Sequence, residues 1–183
     1  GTAAMTTEFE APAPLDAVSR RAIEIARVAT EAECAAIAAR LGLARVEAVS
    51  LTARLRRMSP GDIFAASGRA ELLAERICGV TLEPFVERTV AEFEERFTTT
   101  PDKATPEDEL LGPDEREIEL VETDRIDLGE LALQYLALAL DPYPRGPDAD
   151  AAEAADSGPD VAAGKRRPFA DLGRMLGARQ EKS

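Results

Sequence analysis

The 183-residue chain has no histidine and no tryptophan, and it contains only two cysteines. Without histidine there is no imidazole base, no Ser-His or Cys-His pair and no His-ligated metal. Cys34 and Cys78 lie far apart in a sequence of intracellular character. Free buried thiols are therefore expected rather than a disulfide. No apolar run approaches the roughly 18 residues of a membrane-spanning helix, and no charged-apolar-small leader opens the chain. A cytoplasmic protein without a membrane span is the expectation. Aromatic residues number eight, while 34 residues are alanine. The core must then be built from Leu, Val and Ile with a few Phe, enough for one domain.

Bases are also scarce: 22 against 35 acids, a net charge of −13. The imbalance is local. Residues 1–100 carry 12 bases and 15 acids, residues 101–160 carry 4 and 18, and residues 161–183 carry 6 and 2. The acidic third argues against a bare polybasic binder of nucleic acid or membrane. Set it aside, and the rest is close to neutral.

Gly1-Thr-Ala-Ala before Met5 reads as a tag remnant, and residues 1–16, with Pro12 and Pro14, as a loose leader. A domain over 17–145 follows. Residues 22–28 alternate as a short strand. Thr30 and Glu33 form a capping box, Cys34, Ile37, Ala38 and Leu41 an apolar stripe, and Gly42 a C-cap, which predicts a helix over 31–41. Residues 46–57 alternate, with Val49, Leu51, Ala53 and Leu55 on one face. Turn residues precede a second strand over 63–77, in which Gly68 marks a bulge or a close approach. A third strand runs over about 85–97. Residues 98–115 read as a mobile acidic loop, and 117–122 as a short added strand. Asp127 opens a broadly apolar helix over 128–140, with Leu128, Leu131, Tyr135 and Leu138 on one face. Pro142 and Pro144 end it. Residues 146–164 lack large apolar side chains and are expected to be a disordered linker. Pro168, Phe169, Leu172 and Leu176 suggest a short helix over 165–183 that docks back on the domain. The whole reads as α+β: an antiparallel meander of about four to six strands covered by two or three helices.

Catalysis has little support. No carboxylate pair is fixed in an apolar pocket, and no phosphate loop or nucleophile elbow is present. One thiol without histidine makes a zinc site improbable, so Cys78 reads as a buried thiol and no cofactor is expected. Two basic clusters remain. Arg54, Arg56 and Arg57, joined by Arg69 and Arg76 of the next strand, would form a strip suited to phosphate. Cross-strand pairing with Glu71 and Glu75 explains the same residues without a ligand. Lys165, Arg166 and Arg167 could contact phosphate or an acidic partner, or simply solubilise a helix entrance.

The order of several pieces carries more. CGVTLEPFV (78–86), FEERF (93–97), an acidic loop, IDLGELALQYLALALDPYPRGP (126–147) and RPFADLGRML (167–176) together resemble the YceD family of large ribosomal RNA subunit accumulation proteins. The likeness is best over about 77–176 and weaker upstream, at ECAAIAARLGL (33–43). Many members have Cys-x-x-Cys where this chain has Cys78 and Thr81, and further cysteines where it has Pro142-Tyr-Pro-Arg. That pattern resembles a cysteine-poor alphaproteobacterial branch and carries over no metal role. The resemblance implies a non-enzymatic factor for accumulation of large-subunit ribosomal RNA, with ribosomal RNA or a ribosomal protein as partner. The acidic balance favours a basic ribosomal protein over naked RNA. Direct RNA contact, if made, falls to Arg54, Arg56, Arg57 and Arg76. Family gene neighbourhood suggests an alternative, an adaptor for a phospholipid-synthesis acyltransferase.

Overall fold

Alternation of large apolar and polar residues over three long runs leaves one solution, a sheet with one dry face. The computed structural model describes residues 8–18, 21–58 and 61–156. Its elements are β1 (Pro12–Pro14), β2 (Ile23–Val28), α1 (Glu31–Leu41), β3 (Arg45–Met58), β4 (Ile63–Ile77), β5 (Pro84–Thr98), β6 (Ile118–Leu120), β7 (Arg125–Asp127), α2 (Leu128–Ala139) and α3 (Ala149–Asp156). The main sheet has the order β2-β3-β4-β5-β6. Its first four strands are antiparallel neighbours, and β6 joins β5 in parallel. The fold is α+β, with a mostly antiparallel five-stranded sheet.

Local chemistry sets the helix limits. Thr30 Oγ1 accepts the Glu33 N–H at 3.2 Å, and Glu33 Oε2 accepts the Thr30 N–H at 2.8 Å. The Gly42 and Leu43 N–H groups bond back to the carbonyls of Ala39 and Ala38 and close the other end of α1. Asp127 Oδ1 accepts the N–H groups of Gly129 and Glu130 and caps α2. Glu130 does not complete a capping box there. It binds the Arg40 guanidinium through both oxygens, at 2.6 and 2.7 Å.

Both helices pack on one face of the sheet. Val49, Leu51, Ala53 and Leu55 of β3, Phe64, Ala66, Ala70, Leu72 and Ala74 of β4, and Ala91, Phe93 and Phe97 of β5 meet Ile37 of α1 and Leu128, Ala132 and Leu136 of α2. The many alanines on the strands let the leucines of α2 sit close to the sheet, which explains how a core short of aromatics fills. Leu138, expected on the buried stripe, is 82% exposed, because the true stripe runs 128, 132, 136 at four-residue spacing.

Two further expectations are corrected, and the alternative left open at Gly68 is resolved. The leader is not loose throughout: Phe9 is fully buried, β1 pairs with β7, and Ala11 N–H donates to Asp127 Oδ1 at 2.9 Å. Gly129 makes room for it, since a Cβ there would stand 1.9 Å from the Phe9 carbonyl oxygen. The register shift in the sheet lies between Val46 and Ala48, not at Gly68, which is a close-approach point. Residues 149–156 form a helix within the segment expected to be disordered, with Arg145 bonded to Asp150 and Glu153. The helix expected over 165–183 lies outside the described residues. Among the described residues no helix is long and apolar enough to cross a membrane.

Candidate nucleic-acid interface

Among the described residues no helix packs on the second face of the sheet. Cross-strand pairing places Glu24 opposite Arg54, and Arg54 opposite Ser67; Thr52 stands opposite Arg69, and Arg56 opposite Ala65. Ala65 in turn faces Arg96 of β5. A shallow depression of about 500 Å³ lies here, lined by Glu24, Thr52, Arg54, Ser67 and Arg69 with Gly68 and Ala53 beneath. Two guanidinium groups and two hydroxyls thus converge on a surface floored by small residues.

Their pairing states differ. Arg69 bonds Glu71 at 3.1 Å and Glu92 at 3.2 Å, and Arg88 joins the same Glu71 oxygen at 2.6 Å. These guanidinium groups hold Glu71 below the usual carboxylate range. Neither Arg54 nor Arg56 has an ion-pair partner among the described residues.

The remaining members of the expected strip are elsewhere. Arg57 follows Arg56 directly, so it turns to the opposite face, where its guanidinium lies 5.3 Å from the Phe64 ring centre. Arg76 shares the parity of Leu72 and Ala74 and is 9% exposed. It donates to Glu87 at 3.0 Å and to the Asp141 carbonyl, tying β4 to β5 and to the end of α2. Nine residues separate it from Ser67, about 30 Å along the strand. Glu71 pairs within the Arg69–Arg88 network, and Glu75 stands opposite Arg45. The strip therefore reduces to Arg54 and Arg56, with Arg69 beside them. Lys165, Arg166 and Arg167 lie outside the described residues.

Two other sites complete the survey. A groove of about 310 Å³ beside α2 is lined by Glu94, Glu95, Arg96, Arg116, Glu117, Glu119 and Tyr135. The Tyr135 hydroxyl donates to Glu95 Oε1 at 2.6 Å, and its ring stacks on Phe93 at 5.5 Å. Partial burial, then Glu95 and Glu117, push the Glu119 carboxyl up. Nothing local in the sequence marks this cluster, because it arises from the parallel pairing of β6 with β5. At the β4–β5 turn, Cys78 Sγ accepts the N–H groups of Val80 and Thr81, each at 3.4 Å. The Thr81 side chain, with backbone donors, lowers this thiol to about 7. Gly79 N–H bonds the Pro144 carbonyl at 2.9 Å, so the 78–82 turn and the 142–145 loop meet. Among the described residues no three His, Cys, Asp or Glu side chains are grouped to hold a metal.

A family model described as large ribosomal RNA subunit accumulation protein YceD matches residues 66–175. The match begins within β4, takes in β5 and runs on to residue 175, and leaves out the strand that bears Arg54 and Arg56. No curated protein and no solved structure matches the chain.

Proposed function

Because the chain belongs to the YceD family, we propose that it supports accumulation of large-subunit ribosomal RNA as a cytoplasmic, non-catalytic binding factor. We infer that RNA contact is made by the open sheet face, at Arg54 and Arg56. The observation that carries this reading is their lack of carboxylate partners, on a face where Arg69 and Arg88 are both paired. Guanidinium groups beside Thr52 and Ser67 offer forked and hydroxyl donors to phosphate oxygens. Among the described residues this end of the face has no aromatic side chain, so the contact reads the backbone and not the bases.

The test is an electrophoretic titration against precursor large-subunit ribosomal RNA at low salt. Arg54→Gln with Arg56→Gln should weaken binding by roughly tenfold or more and reduce the salt slope by about 2. No binding by the parent chain would sink direct RNA recognition.

A second reading, a basic ribosomal protein as partner, is favoured by the carboxylates around α2: Glu94, Glu95, Glu117 and Glu119. Affinity capture separates the two. Ribosomal protein retained after nuclease treatment, and lost on Glu117→Lys with Glu119→Lys, supports the protein partner. Recovery of a phospholipid-synthesis acyltransferase without ribosomal components would favour the adaptor instead.

A further inference from the structure

The open face has a second, apolar end. Around the β4–β5 turn, Ile77, Val86 and Val90 are 47%, 52% and 36% exposed. Register places them together: Val86 opposite Glu75, Leu73 opposite Arg88, Val90 opposite Glu71 and Ile77 opposite Pro84. Large apolar side chains clustered on an uncovered sheet face are surface that a folded chain normally covers.

We propose that this strip is the docking site of the chain's own C-terminal segment, through Phe169, Leu172 and Leu176. Three observations select that occupant. The chain passes the foot of β5 shortly before the described residues end: a Cβ on Gly146 would stand 3.2 Å from the ring of Phe85, which lies on the covered face one residue before Val86 on the open face, and α3 begins three residues later. Residues 157–168 reach as far as about 40 Å when extended, whereas Phe85 and Val90 are about 17 Å apart along β5. The route is open, since β6 pairs only with Arg96–Thr98 and leaves the rest of that edge of β5 without a neighbouring strand among the described residues.

Charge agrees with this placement. Residues 161–183 carry 6 bases and 2 acids. The strip is bordered by Glu71, Glu75 and Glu92, of which Glu75 has no ion-pair partner among the described residues. The family match adds to these: it spans 66–175, so most of β4, all of β5 and the segment through Met175, one residue short of Leu176, fall within one matched unit. Docking would cover both faces of the sheet at this end and leave Arg54 and Arg56, at the other end, open to a ligand.

The absence of tryptophan makes the experiment clean. Phe169→Trp in the full chain installs a single indole reporter. A blue-shifted, quencher-protected emission that is independent of protein concentration, and that reverts on Val86→Asp with Val90→Asp, is the expected result. Circular dichroism checks that the second variant keeps its sheet. Zero-length carbodiimide cross-linking supplies the second measurement, since the chain's only lysines are Lys103, Lys165 and Lys182. Cross-links from Lys165 or Lys182 to Glu71, Glu75 or Glu92 support the strip. A solvent-exposed indole would overturn the proposal. So would a blue shift unaffected by the Val86 and Val90 changes, cross-links to Glu117 and Glu119 instead, or a shift that appears only on concentration and so reports a second copy.

Discussion

Gly68 of β4 lies directly under the ring of Phe93 on β5: a Cβ on Gly68 would stand 2.5 Å from Phe93 Cζ and 2.9 Å from the Thr52 carbonyl oxygen. The second contact is backbone, so the neighbour cannot simply rotate away. Gly68→Ala should destabilise the fold by about 1–3 kcal/mol through overpacking. Thermal unfolding measures it. Phe93→Leu in the same chain should recover part of the loss, because the two changes share one contact and are not additive. A Gly68→Ala chain as stable as the parent would contradict the close approach.

Sequence spacing groups Arg76 with Arg54 in one strip, and the structure separates them. Arg76 is buried with Glu87 and the Asp141 carbonyl as partners, whereas Arg54 is exposed. Arg76→Ala leaves a partly exposed carboxylate and a carbonyl just beyond α2 without their donor, so a loss of about 1–3 kcal/mol is expected. Arg54→Ala should cost under about 0.5 kcal/mol. Urea midpoints of the two variants compare them directly. Equal costs would mean that Arg76 has no structural role of its own.

The parity that sorts these arginines was legible in principle. Arg76 lies an even number of residues from Ala66, Ala70, Leu72 and Ala74, and Arg57 an odd number from Arg56, so a strict period of two assigns each to its face. Both helices, the three long strands and the covered face followed from caps and alternation for the same reason: these signals act within a few residues. What escaped depends on contacts distant in sequence. The seating of Phe9 on α2, the β1–β7 pairing and the parallel entry of β6 beside β5 join segments up to 116 residues apart, as in the Ala11–Asp127 hydrogen bond. Nothing local distinguishes such a strand from a loop. The acidic groove at Glu119 escaped with them.

Cys78 offers a titration. Its thiol is lowered to about 7 by the Thr81 side chain and by backbone donors. Ultraviolet thiolate absorbance of the parent, less that of Cys78→Ser, should show a midpoint near 7. Thr81→Val should move that midpoint upward. Since the folded value lies below the unfolded value of roughly 8.5, the stability gained by the thiolate is present above the unfolded value and lost as pH falls through about 7. A midpoint at the ordinary thiol value in both chains would rule out the Thr81 contact.

The opposite sign holds for Tyr135. Burial first, then the hydrogen bond to Glu95, pushes its phenol up to about 12. The unfolded chain ionises tyrosine near 10, so the folded state keeps its proton over the interval in which the unfolded state loses it. The stability linked to this group is therefore full below about pH 10 and disappears as pH rises toward 12. Its size is on the order of 1–2 kcal/mol, because solvent reaches part of the pair and screens it. Tyr135→Phe removes the titrating group. Denaturant midpoints of parent and variant should differ most below pH 10 and converge as pH approaches about 12. The absorbance difference between the two chains should place the phenolate midpoint at the upper end of that range. A constant gap between the two stability curves would mean that the Tyr135–Glu95 bond does not govern the proton.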